Sequence, residues 1–247
     1  MTQLSYVHGA SDTPFIGHTI GVHFDRVVER FGDRDAVIVR HQQVRWTYHE
    51  LKDAFAAGLL ALGLERGDRI GVWSPNNAEW VITQFTTAKA GLILVNINPA
   101  YRLAELEYAL NKAGCVALIT ATQFKTSDYI GMLRELAPEL ASASPGNLHA
   151  SRLPELRLVI TIGADHPHGM MRFDDVSGLA GDAERHRLAA LAGDLQFDDP
   201  INIQFTSGTT GFPKGATLSH HNNRQDPEIP DGQQMIDELG LSLQKTA

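Results

Sequence analysis

The chain has 247 residues, with 29 acidic and 21 basic side chains and a formal net charge of −8 at pH 7. This length fits one large domain or two modest ones, and the acidic balance argues against non-specific binding to nucleic acid or to anionic membranes. Hydrophobic residues at 43% and charged residues at 20% are ordinary for a globular protein that folds in water.

The first predicted elements are a helix and a β-hairpin. Residues 21–30 carry apolar side chains at helical spacing. Short apolar runs at 36–40 and 44–46 predict two paired strands. Thr47 is followed three residues later by Glu50, which is the spacing of a capping box. We therefore expect the next helix to start at Thr47.

A repeated strand-then-helix pattern follows. The strands are continuous apolar runs rather than alternating ones, which is typical of strands buried on both faces of a parallel sheet. Residues 140–153 are rich in Ser, Ala, Pro and Gly, and predict a surface loop. The fold class is therefore α/β, with mostly parallel sheets flanked by helices. Predicted strands start at Arg69, Leu92, Val116, Leu158 and Ile201, and predicted helices cover 78–90, 103–113 and 126–136.

Two features suggest reactive or metal-binding side chains, and each has a simpler interpretation. Cys115 is the single cysteine, so no internal disulfide can form. A catalytic thiol is one interpretation, but the favoured one is a small core residue at the start of an apolar strand. His166 and His168 have no third ligand at a suitable spacing, so a solvated turn is favoured over a metal site.

The expected location of the chain is the cytoplasm. Residues 1–12 have no basic start followed by an apolar run, so they do not predict a signal peptide. No stretch is long and apolar enough to predict a membrane-spanning helix. Low cysteine use suits a reducing compartment.

The chemistry-bearing part of the sequence is a glycine-rich segment, TSGTTGFPKG, at residues 206–215. Glycines allow a backbone to approach a ligand closely, and successive N–H groups form a concave donor site for anions. Lys214 adds a positive charge that can reach phosphate oxygens, and Pro213 stiffens the segment. This pattern predicts a polyphosphate site. The residues predicted to bind are Thr206, Ser207, Gly208, Thr209, Thr210, Gly211 and Lys214.

The glycine-rich segment has two other interpretations. A Walker A motif is excluded, because Lys214 is followed by Gly215 and an extended run rather than by Ser or Thr and a helix. A flexible surface hairpin is the simpler alternative, since Ser, Gly and Thr are common in loops. The order of these residues between two apolar strands favours the polyphosphate site.

The glycine-rich segment is similar throughout to the phosphate-loop signature of the adenylate-forming (AMP-binding) superfamily. WTYHEL at 46–51 resembles an early helix start of that superfamily, and residues 88–102 resemble its next landmark. SPNNAEW at 74–80 and LNKAGCVALIT at 110–120 resemble the acyl-CoA synthetase (fatty-acid–CoA ligase) branch. The resemblance covers roughly residues 15–222 and corresponds to the N-terminal portion of such enzymes.

This resemblance implies a two-step reaction on a medium- or long-chain fatty acid. The carboxylate attacks the α-phosphate of ATP and releases pyrophosphate, and the coenzyme A thiol then displaces AMP from the acyl-adenylate. The glycine-rich segment would hold the β- and γ-phosphates, Mg²⁺ would help to neutralise them, and Lys214 would stabilise the departing charge. The implied partners are ATP, the acid and coenzyme A, with no protein ligand assigned to a metal.

We expect residues 1–222 to form a partial AMP-binding N-terminal domain, and 223–247 an atypical tail that is turn-rich and then a short amphipathic helix. The superfamily's adenine-stacking segment, ribose-binding acid, hinge and C-terminal lysine are not found in 223–247. A truncated or replaced C-terminal part is therefore expected, with an internal deletion, a frameshift and a gene-model error all open. Uncovered strands would favour aggregation or a covering partner.

Three functions remain open at this point. The first is an acyl-CoA synthetase whose activity belongs to the complete enzyme, with this chain inactive alone. The second is a non-catalytic module that binds ATP or pyrophosphate. The third is an interaction fragment without a ligand.

Overall fold

The computed structural model describes residues 17–51, 54–206 and 213–222. In these ranges the α-helices are α1 (Ile20–Phe31), α2 (Ala54–Ala61), α3 (Ala78–Lys89), α4 (Leu103–Ala113), α5 (Tyr129–Leu136), α6 (Phe173–Val176) and α7 (Asp182–Asp194). The strands are β1 (Asp35–Val39), β2 (Val44–Thr47), β3 (Arg69–Trp73), β4 (Ile93–Asn96), β5 (Cys115–Thr120), β6 (Gln123–Phe124), β7 (Ser127–Asp128), β8 (Leu158–Thr161), β9 (Met171–Arg172), β10 (Pro200–Thr206) and β11 (Lys214–Ser219).

The main sheet has seven strands in the order β11-β10-β4-β3-β5-β8-β9. Every neighbouring pair is parallel except β10 and β11, which form an antiparallel hairpin at one edge. The central strands are buried along their length, as continuous apolar runs require. The predicted α/β class with a mostly parallel sheet is confirmed.

Helices cover both faces of this sheet. On one face, Ile70 and Ile119 pack in a core with residues of α2, α6 and α7. On the other face, Leu118 and Val159 pack in a second core with α4 and α5. Alternating side chains of the same strands thus fill two separate hydrophobic layers.

The N-terminal helix and hairpin pack on α3. Phe24 and Val28 of α1 share a third core with Val37 of β1 and with Val81 of α3. The ring of Phe24 stacks on that of Phe85 at a centroid distance of 4.7 Å. The predicted helix at 21–30 and the predicted hairpin are both confirmed.

The predicted helix start at Thr47 is wrong. Thr47 is the last residue of β2, and residues 48–51 form a turn. Glu50 Oε2 does accept a hydrogen bond from Thr47 N at 2.7 Å, and Glu50 N donates to Thr47 Oγ1 at 3.3 Å. These hydrogen bonds close a single turn between β2 and α2, so the capping-box spacing is satisfied without a helix at that point.

Two other predicted boundaries need correction. The helix expected from Thr126 begins at Tyr129, because residues 123–128 form the β6–β7 hairpin and Asp128 Oδ1 accepts the N–H of Gly131 at 2.9 Å as the N-cap. The loop at 140–153 is not only a surface feature. Its three leucines, Leu140, Leu148 and Leu153, are buried in the second core.

The proposed boundary between residues 222 and 223 stays a prediction, because the tail from residue 223 lies outside the described residues. The solubility prediction is likewise untested, although β11 forms one edge of the sheet in the described part. Among the described helices, none combines the length and apolar character that a membrane crossing needs.

Candidate functional site

The two ends of the glycine-rich segment lie at the carboxyl edge of the parallel sheet. β10 runs parallel to β4, and Gln204 of β10 is in register with Asn96, the last residue of β4. Thr206 ends β10 two residues further on. In open α/β sheets, ligands bind at this edge, beyond the carboxyl ends of the strands.

Thr206 and Lys214 form the base of the segment. They are cross-strand partners in the β10–β11 hairpin, and Thr206 Oγ1 donates to the carbonyl oxygen of Lys214 at 3.4 Å. Both residues are exposed. None of the ion pairs among the described residues involves Lys214, so its ammonium group is available to an anion at the sheet edge.

The alternation of side chains assigns Lys214 to one face of the sheet. Phe205 of β10 packs on the second core, the face covered by α4. Thr206 therefore projects from the opposite face, and its cross-strand partner Lys214 projects with it. Gln204 and its register partner Asn96 belong to that same face. The Lys214 side chain therefore lies on the face that carries the polar side chains of Gln204 and Asn96, opposite the face covered by α4.

Two buried amide oxygens lie on this face below the lysine. Asn96 Oδ1 and Asn202 Oδ1 are both shielded from solvent and have no hydrogen-bond partner in the described part of the chain. An unsatisfied buried acceptor costs about 1–3 kcal/mol. Sequence reasoning did not single out these residues. The available signal was a polar side chain inside or at the end of an apolar strand.

The interior of the glycine-rich segment, residues 207–212, is not among the described residues. Ser207, Gly208, Thr209, Thr210 and Gly211 lie outside the described residues, and their phosphate-binding roles stay predictions. The next described residue is Pro213, whose carbonyl oxygen accepts a hydrogen bond from Tyr108 Oη at 3.2 Å. Tyr108 belongs to α4 and is a contact that no local sequence pattern indicates.

Other candidate groups do not join this site. Cys115 is 1% exposed in the core, and burial raises the pKa of its thiol to about 12. His166 Nε2 and His168 Nδ1 instead lie 3.1 and 3.3 Å from backbone carbonyls. No group of three His, Cys, Asp or Glu side chains in the described ranges is arranged to hold a metal ion.

A separate open depression of about 580 Å³ lies beyond β5 at the same edge of the sheet. Two cations, Lys125 and Arg134, line it together with the carboxylates of Asp128 and Asp165. Because both signs of charge are present, the lining alone does not select an anionic or a cationic ligand.

Comparison with known proteins assigns the chain to a family. The sequence profile described as "AMP-binding enzyme" matches residues 24–226, which includes the whole glycine-rich segment. The chain belongs to the AMP-binding enzyme family. The resemblance inferred from the glycine-rich segment and the upstream landmarks is thereby confirmed.

The relatives of this AMP-binding chain include two acyl-CoA ligases. It is 47% identical over 225 residues to the mitochondrial medium-chain acyl-CoA ligase ACSF2 of Mus musculus, and 49% identical over 221 residues to the Danio rerio protein of that name. These matches cover 89% and 88% of this chain but only 36% of each relative. The chain therefore spans little more than a third of their length. The cytoplasmic location predicted for this chain stays a prediction.

A solved structure supports the fold. The crystal structure of the anthranilate CoA ligase AuaEII in complex with anthranoyl-AMP superimposes with a TM-score of 0.67 and 22% identity. The match covers 87% of this chain and 37% of that protein. At this level of identity the likeness shows the fold alone, which agrees with the α/β prediction.

Proposed function

We propose that this chain forms the phosphate-binding part of an enzyme that activates a carboxylic acid with ATP and transfers the acyl group to coenzyme A. The single observation that carries the proposal is the placement of Lys214, exposed and outside every described ion pair, beside Thr206 at the carboxyl edge of the sheet. Family membership supplies the reaction class, and the names of the relatives favour a medium-chain fatty acid as the substrate.

The proposed chemistry assigns roles to Lys214, to Thr206 and to the interior of the glycine-rich segment. A carboxylate oxygen of the acid attacks the α-phosphorus of ATP, and the bond to the bridging oxygen of pyrophosphate breaks. The departing pyrophosphate carries negative charge, and the exposed Lys214 at the sheet edge can help to stabilise it. The Thr206 hydroxyl can donate to a phosphate oxygen at the same edge only by releasing its 3.4 Å hydrogen bond to the Lys214 carbonyl oxygen. The interior of the glycine-rich segment would supply further N–H donors.

The residues present fit a nucleotide better than a protein-held metal. An exposed lysine and a hydroxyl at an open edge suit phosphate oxygens. Mg²⁺ is commonly bound through substrate phosphates with few protein ligands, so bound with the nucleotide it would supply further charge neutralisation. We assign no protein ligand to it and no coenzyme A contact within the described residues.

Titration calorimetry with Mg-ATP tests the proposal on the whole chain. A hydrogen bond to a charged group contributes about 1.5–3 kcal/mol, so Lys214→Ala should weaken binding about tenfold to a hundredfold. Lys112→Ala is the matched control, because Lys112 is exposed on α4 away from the sheet edge. Equal affinity of wild type and Lys214→Ala would remove Lys214 from the site.

Acid-dependent exchange of pyrophosphate with ATP then separates catalysis from binding. We propose that the chain alone binds nucleotide weakly and does not catalyse this exchange, since its match covers only 36% of a relative that is about two and a half times as long. Exchange that requires a fatty acid would show that the chain is a complete catalyst for the first step. Binding without exchange would favour the non-catalytic module, and no heat with Mg-ATP would favour an interaction fragment.

A further inference from the structure

We propose that Tyr108 of α4 is a positioning residue for Lys214. The inference rests on the proposed function of the glycine-rich segment and adds a residue that lies outside it. Tyr108 is 105 residues away from Pro213 along the chain, yet its hydroxyl donates to the Pro213 carbonyl oxygen at 3.2 Å. Neither Tyr108 nor Pro213 is among the residues predicted to bind phosphate.

The geometry of the peptide group explains how this contact acts on the lysine. The Pro213 carbonyl carbon and oxygen share one plane with the amide nitrogen and Cα of Lys214. A hydrogen bond that fixes the oxygen therefore fixes the direction in which the chain enters Lys214. The proline ring also restricts φ of Pro213 to about −65°, so few other rotations can absorb a change.

The hydrogen bond is useful only if α4 is itself held firmly, and the structure shows that it is. Glu107 accepts two hydrogen bonds from Arg152, at 3.0 and 2.6 Å, and Asn111 Nδ2 donates to the Arg152 carbonyl oxygen at 2.9 Å. Leu106 and Leu110 on the same helix are buried in the second core. Tyr108 therefore projects from a helix fixed both by polar contacts and by packing.

Two restraints then meet at the base of the glycine-rich segment. The Thr206–Lys214 strand pair restrains the lysine from the β10 side, and Tyr108 restrains the preceding peptide from the α4 side. Small displacements of a charged group relative to a reacting phosphate carry a large cost in rate and affinity. A hydroxyl that touches no ligand can thus influence how tightly the segment holds a polyphosphate.

The test compares Tyr108→Phe with wild type in the full chain. The first measurement is amide hydrogen exchange at residues 214–216, and the second is the affinity for Mg-ATP and for magnesium pyrophosphate. We expect faster exchange at 214–216 and affinity lower by about threefold to tenfold for both ligands. Exchange at Leu106 and Leu110 should not change. Tyr48→Phe is the control, since it removes a half-buried hydroxyl in the third core, distant from the segment.

Each outcome decides the proposal. Unchanged exchange at 214–216 in Tyr108→Phe would overturn it, whether or not the chain binds nucleotide. Faster exchange with unchanged affinity in a chain that does bind would also overturn the positioning role. If the wild-type chain binds neither ligand, nucleotide binding by this chain is refuted, and so is the positioning of Lys214 for phosphate. The amide hydrogen exchange data would still report whether Tyr108 restrains the strand.

Discussion

The indole ring of Trp73 stacks on the phenol ring of Tyr129, with centroids 3.6 Å apart and planes inclined by 7°. Both side chains are fully buried. Trp73 ends β3 and Tyr129 begins α5, and Tyr129 Oη donates to the carbonyl oxygen of Pro99, just beyond β4, at 2.5 Å. This contact joins the segments that leave neighbouring strands at the edge where the candidate site lies, so it provides a rigid support for that edge.

We expect Tyr129→Phe to lower the free energy of unfolding by about 1 kcal/mol, because the Pro99 carbonyl would lose its donor while the stacked ring remains. Tyr129→Ala should cost about 3–5 kcal/mol, since it also removes the ring from the core. Urea unfolding of both variants measures the two values. Equal losses in the two variants would show that the ring contributes nothing, contrary to the stacking observed.

The thiol of Cys115 should be inert in the folded protein. Burial raises its pKa to about 12, and the side chain is 1% exposed, so at pH 8 neither thiolate nor access is available. We expect a disulfide-exchange reagent to label the chain only as fast as the chain opens. Because Cys115 is the single cysteine, the label reports one site. Immediate labelling without denaturant would contradict the observed packing.

The sheet could be predicted from the sequence because its central strands are continuous apolar runs. β3, β5 and β8 are almost entirely buried, and short continuous apolar runs between predicted helices are typical of strands covered on both faces. α7 was not anticipated. Of its 13 residues only Leu188 is buried, so the helix has almost no apolar stripe. Its start depends instead on Glu184, whose carboxylate accepts from Gly181 N at 2.9 Å.

In the candidate site, too, local features could be predicted from the sequence and long-range contacts could not. Glycines and hydroxyls in a fixed order identify the glycine-rich segment locally, whereas Tyr108 reaches Pro213 only because α4 and β10 contribute to the same core on one face of the sheet. The same limit explains Thr47. Its hydrogen bonds with Glu50 form as predicted, but local spacing does not determine whether a helix continues from them.

The ion pair of Glu107 with Arg152 predicts a dependence of stability on pH. The hydrogen bonds from Arg152 hold the pKa of Glu107 below its usual value of 4.5. A carboxyl group whose pKa is lower in the folded state than in the unfolded state stabilises the protein fully at pH values above the unfolded-state pKa. This stabilisation is lost as the pH falls through the folded-state pKa. Because the pair is partly exposed, we expect Glu107→Gln to cost only about 0.5 kcal/mol at pH 7.

The difference between wild type and Glu107→Gln should shrink as pH falls below about 4.5 and vanish once Glu107 is protonated. Denaturant unfolding at several pH values measures it. Glu155→Gln removes one charge at an exposed position outside the described ion pairs and serves as the matched control. A difference that grows toward low pH would have the wrong sign for this ion pair.

Gly58 in α2 permits close contact with the C-terminal residue of α6. A Cβ atom at this position would lie 2.1 Å from the Val176 carbonyl oxygen and 2.7 Å from its carbonyl carbon. Helix propensity alone predicts that Gly58→Ala stabilises the protein by about 0.5–1 kcal/mol. The backbone clash should reverse that sign, and we expect a net loss of about 1–3 kcal/mol, because α2 must move away from Val176.

Gly193→Ala in α7 separates the two effects. No atom lies within 4 Å of the Cβ that this change would add, so only the propensity gain remains and the variant should be slightly more stable than wild type. Urea unfolding of both variants on the same day gives the comparison. If the two alanines change stability in the same direction, the close packing of α2 on Val176 is not what makes glycine necessary at position 58.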